Sequence, residues 1–242
     1  MATPSEHPPL GQLADRYWIE SRRPLASLVF IAPLLIVYEA GVLLLGVQNG
    51  ADAFMRRLLD LLGFSQHFLL PILMVCILLG WNYLSRQPWK VSGSLMWAMA
   101  VESLLLGVCL RVILFLQVTL FYVVDSTTVV NIGGTLKEAV GFLGAGIYEE
   151  LLFRLILLSL VAWMMRRAGF TPRVSLIGAT LLTSLLFAAA HHMGPNGESL
   201  LWSVFLFRTL AGVFFSIVFI YRGFGIAAGS HAAYDILAWL FG

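Results

Sequence analysis

Three short stretches of this 242-residue sequence carry ionisable side chains at spacings suited to chemistry. The first is GIYEELLFR, Gly146 to Arg154. On a helix each residue advances by about 100°, so Glu150 and Arg154, four apart, share a face and pair. Glu149 points away from that pair toward a different neighbour. One acid then neutralises the arginine, and the other is left without a local partner, in the position of a general base. The second stretch is FAAAHHM, Phe187 to Met193, where three alanines let another helix approach His191 closely. His191 and His192 diverge by about 100° and cannot face one spot. The third is GIAAGSHAAYD, Gly225 to Asp235. Gly225 and Gly229 form a small-xxx-small pair, and Ala228 and Ala232 repeat the spacing. His231 and Asp235 share a face, so that Asp235 either orients the imidazole or itself faces a cavity.

Together these stretches offer a carboxylate, two imidazoles and a second carboxylate on three segments, a set able to activate water. Two chemistries are open. Glu149, His191 and His231 could ligate a metal, typically zinc. Alternatively Glu149 with His191 acts as the base, and His231 with Asp235 stabilises an oxyanion. The H-E-x-x-H helix of common zinc proteases is absent, and no serine sits in a nucleophile-elbow signature. Read separately, each stretch also fits a bland alternative: a structural Glu–Arg pair, an interfacial histidine, a packing His–Asp pair.

The elements that must position these groups are membrane helices. The chain is 60% apolar and only 12% charged, against about 25% charged in soluble domains. Its apolar residues form blocks near the roughly 20 residues that cross a bilayer. Seven blocks read as spans, at about 25–47, 68–84, 94–124, 136–165, 174–192, 200–221 and 226–241. The expected fold is an all-α polytopic transmembrane bundle of seven to eight spans. Between the first two spans, Phe54, Leu58, Leu61 and Leu62 share a helical face opposite Arg57 and Asp60, which predicts a helix lying in the interface. Residues 1–24 read as a cytoplasmic segment, and 25–242 as the transmembrane domain with its catalytic core at about 136–242. With the N-terminus inside, the short cytoplasmic loops collect Arg16, Arg22, Arg23, Arg86, Lys90, Arg166, Arg167, Arg173 and Arg222. The outside keeps Arg56 and Arg57, with Asp125 and Glu198 in its other loops. The positive-inside bias therefore places the N-terminus in the cytoplasm.

The polar stretch from Met1 to Arg23 lacks the apolar core of a cleavable signal peptide. Cys76 and Cys109 lie in apolar blocks and read as small buried hydrophobes. A net charge of +2 gives no reason to expect a nucleic-acid partner; the expected partners are the bilayer and a membrane-associated peptide or protein. An ionisable residue near the bilayer centre costs about 2.5–3.5 kcal/mol and so marks function by default. Glu39, Glu102, Arg111 and Arg208 also fall within spans.

EELLFR resembles the E-E-x-x-x-R motif of the CAAX protease and bacteriocin-processing (CPBP, or Abi) family of intramembrane proteases. FAAAH resembles its F-x-x-x-H motif, and HAAYD its last motif, H-x-x-x-N or H-x-x-x-D. The three occur in the family's order, from about Gly141 to the C-terminus. The resemblance implies a membrane endopeptidase. Eukaryotic members remove the last three residues of prenylated CAAX proteins, and some prokaryotic members are linked to bacteriocin maturation or self-immunity. By the motifs, Glu149 would activate water with His191, His231 and Asp235 would support the oxyanion or further position the water, and Glu150 and Arg154 would hold the site together. The family carries both a metal-dependent and a metal-free glutamate mechanism, so zinc on Glu149, His191 and His231 stays open. Where the motif has Asn, an amide can donate to an oxyanion; an ionised Asp235 cannot, and would act through His231 or protonated. The rival classes are a non-cutting immunity or membrane-binding protein of the same fold and a proton- or ion-coupled transporter. Counting along the spans puts Glu149 near mid-membrane and His191 near the outer end of its helix. Convergence therefore requires either that the fifth span end within the bilayer, at the rim of a cavity, or that the span boundaries lie elsewhere.

Overall fold

A computed structural model describes residues 10–64, 66–121, 135–193, 197 and 199–241. The described residues are helical throughout, joined by short turns. In chain order the helices are α1 (Leu10–Ser21), α2 (Pro24–Leu45), α3 (Gly50–Leu61), α4 (Leu69–Leu84) and α5 (Gly93–Phe121). Leu136–Gly144, Ala145–Leu158 and Ser159–Arg167 run on without a break and together make α6. Then come α7 (Pro172–His191), α8 (Trp202–Arg222) and α9 (Phe224–Phe241). Asp125, Glu198, residues 122–124 of the expected third span and residues 194–196 lie outside the described residues.

The boundaries follow local chemistry. Pro24 and Pro172 open α2 and α7, where a missing N–H costs nothing. Asn49 caps α3 by accepting from Ala51 N–H at 2.8 Å. Gly46 closes α2 in the left-handed conformation, φ 65°. Gly223, at φ 85°, is the sole residue between α8 and α9 and turns the chain sharply there.

Among the described residues four helices are long and apolar enough to cross a membrane: α2, α5 (over Gly93–Gln117), α7 and α8. The protein is a multi-pass integral membrane protein. Helix α4 is apolar but has 16 residues, while α6 and α9 carry the ionisable stretches that lower their hydropathy.

Helix α9 is the hub. Its first nine residues, Phe224 to Ala232, are all buried. Small residues let the neighbours close on it. A side chain at Gly225 would meet Ser27 of α2, and one at Gly229 would meet Phe30 of α2 and Ser103 of α5. Gly146 of α6 lies against Ala228 and Ala232. Both small-residue pairs of the third stretch are thus used, against different neighbours on adjoining faces of one helix.

One expectation is corrected. Cys76 and Cys109 are exposed on the bundle's outside. An apolar segment in a membrane has a lipid-facing side as well as a core-facing one, and hydropathy alone does not separate them. Helix α3 does turn Phe54, Leu58, Leu61 and Leu62 outward. Its inward face carries Asp52, fully buried, with Ala51, Met55 and the partly buried Arg56. Charged groups thus point into the protein, where they pair.

Candidate active site

The first ionisable stretch departs from α-helical winding. Ala145–Leu158 is a π-helix of 14 residues, whereas such turns usually occur singly and at functional sites. The 100° step expected for Glu149 and Glu150 is therefore too large, because i→i+5 bonding puts more residues in each turn. The two acids diverge less, and both reach the same imidazole. Glu150 Oε1 accepts from His231 Nδ1 at 2.7 Å. Glu149 Oε2 lies 3.8 Å from His231 Nε2.

The expected pair between Glu150 and Arg154 is present at 3.0 Å. Arg154 also donates to Gly212 O of α8 at 3.3 Å and lies over the Phe187 ring of α7 at 4.4 Å. Glu150 thus has two duties. It balances a buried guanidinium, and it fixes the tautomer and orientation of His231. Phe215 stacks on that imidazole at 4.3 Å, with 14° between the rings.

His191 is the last residue of α7. Its Nδ1 donates to Phe187 O at 2.8 Å, which turns Nε2 toward Glu149 Oε2, 3.7 Å away. Asp235 Oδ2 lies 3.6 Å from His231 Nε2, beyond hydrogen-bonding distance. Glu150, not Asp235, therefore holds the imidazole ring. The structure therefore brings Glu149, His191, His231 and Asp235 together, with Glu150 and Arg154 behind them. His192 is turned elsewhere, its ring stacked on Phe205 of α8 at 5.8 Å.

One contributor was not foreseen. Asn49 Nδ2 donates to Glu149 Oε1 at 3.0 Å. It precedes Glu149 by 100 residues and belongs to none of the three stretches. Its only sequence signal was as a polar cap before an amphipathic helix. Glu39 and Glu102, the unexplained acids of the spans, are paired with Arg56 at 3.1 Å and Arg222 at 2.5 Å.

The donor types Glu149, His191 and His231 are those of a zinc peptidase. Their spacing is less suited. Bonds of about 2.0–2.2 Å put tetrahedral ligand atoms roughly 3.4 Å apart, and the carboxylate–imidazole separations here are 3.7 and 3.8 Å. No group of three His, Cys, Asp or Glu among the described residues is disposed to hold a metal ion.

Residues 131–237 match the family described as Type II CAAX prenyl endopeptidase Rce1-like. The chain carries a domain of that family. The matched segment contains all three ionisable stretches and stops short of α1 to α5. No curated protein and no solved structure matches the chain. A domain of this CAAX protease family implies an intramembrane peptidase.

Proposed function

We propose that the protein is an intramembrane endopeptidase that hydrolyses a peptide bond of a membrane-associated substrate, prenylated or leader-bearing, using water activated by Glu149. One observation carries the reading. Glu149 Oε2 is buried and has no hydrogen-bond partner among the described residues, yet it faces two imidazole Nε2 atoms at 3.7 and 3.8 Å. Those separations are too long for direct hydrogen bonds and leave that oxygen open to a water held nearby.

The steps follow from the donors already engaged. The water donates one hydrogen to Glu149 Oε2 and the other to the lone pair of His191 Nε2. Glu149 removes its proton as the water oxygen attacks the scissile carbonyl carbon. His231, with Nδ1–H held by Glu150, donates from Nε2 to the developing oxyanion as an imidazolium. Asp235 on that side balances the imidazolium charge. Glu149 then returns its proton to the departing amine nitrogen as the C–N bond breaks. No step is routed through a metal.

We further read α4, α6 and α9 as crossing the bilayer with the four longer apolar helices, giving seven spans and a cytoplasmic N-terminus, as the arginine distribution supports. Residues 136–242 then form the peptidase core, with residues 1–24 ahead of the spans.

The test is cleavage of membrane-anchored and prenylated peptides by purified protein. Glu149→Gln, His191→Ala and His231→Ala should each lower kcat by about 10²-fold or more. Asp235→Asn, which supplies an amide donor, should stay active. Wild-type turnover in folded Glu149→Gln protein would overturn the reading. Abolition of cleavage by a chelator, with restoration by zinc, would overturn the metal-free sequence of steps.

A further inference from the structure

A glutamate has two oxygens and several rotatable bonds, and a general base works only when one oxygen is aimed. Glu149 Oε1 is tethered by Asn49 Nδ2 at 3.0 Å, which leaves Oε2 toward the two imidazoles. The orientation of the Asn49 amide is fixed by its other contacts. Its Oδ1 accepts from Ala51 N–H at 2.8 Å, so Nδ2 is the atom that faces Glu149. Its backbone N–H donates to Tyr38 Oη at 2.9 Å.

Behind Asn49 stands a connected polar network. Tyr38 donates to Asp52 Oδ2 at 2.8 Å, and Arg56 Nε donates to Asp52 Oδ1 at 2.5 Å. Arg56 Nη2 donates to both Glu39 oxygens at 3.1 Å and Nη1 to His67 O. Tyr148, the residue before Glu149, donates to Glu39 Oε1 at 2.5 Å. Tyr38, Asp52 and Tyr148 are fully buried. Helix α6 is therefore gripped at two consecutive residues by groups from α2 and α3. Everything that grips it comes from residues 38 to 67, outside the segment that matches the peptidase family. A buried network of this kind, with its members satisfied, rigidifies what it touches.

We infer that Asn49 is a positioning residue for Glu149, supplied by the N-terminal third of the chain. The tether fixes one oxygen so that the other bears on the water. This rests on Glu149 being the base. Immobilising a glutamate side chain costs rotamer freedom, and the Asn49 tether meets that cost in advance. Misplacement of a reacting group by about 1 Å lowers turnover by as much as 10²-fold.

The experiment uses the full chain in nanodiscs. Asn, Asp and Ser are all good helix caps, so Asn49→Asp and Asn49→Ser keep α3 while removing the amide donor. If Asn49 positions Glu149, both variants keep a wild-type melting temperature and KM. Asn49→Ser then loses roughly tenfold or more in kcat, and Asn49→Asp, with a carboxylate against Glu149, loses more. If Asn49 only caps α3, both variants turn over like wild type, and the inference falls. A second measurement needs no activity. With asparagine 15N-labelled, the Asn49 side-chain amide signal is identified by its loss in Asn49→Ser. That signal should move in Glu149→Gln while Asn82, whose amide bonds Gln87 O, stays fixed. An unmoved Asn49 signal overturns the contact. Wild-type activity of Glu149→Gln instead overturns the base assignment, whatever the amide does, so the two failures are distinguishable.

Discussion

Replacing Gly146 by alanine tests whether helix contact sets the geometry of the site. A Cβ at this position would lie 2.7 Å from Ala228 O, Ala232 N and Ala232 Cβ. Two of these are backbone atoms and the third is attached directly to one, so none can swing aside. Ordinary contact begins at 3.4 Å, so α6 and α9 must part locally by about 0.7 Å. The next turn of the same interface holds the contacts of the candidate site. The Glu150–His231 bond of 2.7 Å would stretch past hydrogen-bonding range, and the 3.8 Å gap between Glu149 and His231 would widen with it. Overpacking of this kind costs about 1–3 kcal/mol, and a displacement approaching 1 Å costs up to 10²-fold in rate. The assay is kcat on an anchored peptide, with the melting temperature of the same preparation. Gly178→Ala is the control, because its Cβ would meet the terminal methyl of Met165, 2.6 Å away, which can move. Gly146→Ala should lose activity and stability while Gly178→Ala keeps both. If both alanine variants behave like wild type, the α6–α9 contact does not control the site.

Other consequences are direct. Arg154→Met leaves the buried Glu150 carboxylate without its cation and should destabilise the protein by about 3–5 kcal/mol, read as lost melting temperature. Adding Glu150→Leu should restore stability but not turnover, since His231 Nδ1 then has no acceptor; a double variant that regains activity refutes the orienting role of Glu150. At the far side of α5, Tyr17 donates to Glu102, and burial with the nearby carboxylate pushes the phenol above its ordinary range. A raised folded value means that the contribution is present below the unfolded value of about 10 and is lost as pH rises beyond it. The melting-temperature gap between wild type and Tyr17→Phe should hold from pH 6 to about 9 and narrow above about 10; a gap unchanged at pH 11 contradicts this.

Sequence by itself determined the class of the protein and pointed to most of the ionisable side chains that the structure brings together. Charged groups are costly in apolar segments, so their positions advertise themselves, and His231 and Asp235 needed only helical spacing to be grouped. The same logic picked out Glu149 over Glu150 as the residue without a local partner, and four of the apolar blocks are helices long enough to cross a membrane. What sequence could not supply were relations between distant segments. That Asn49 meets Glu149, that Glu150 holds His231, and that the end of α7 brings His191 to the same oxygen all depend on which helices touch. Local pattern also failed where backbone winding changed: the π-helical stretch shifts the angle between two adjacent glutamates, and no residue type in GIYEELLFR signals it. The lipid-facing cysteines belong with these, because hydropathy measures how apolar a segment is and not which way each side chain turns. Tertiary structure decided these points through close backbone approach, at Gly146 and along α9, where the absence of a side chain lets three helices share one site.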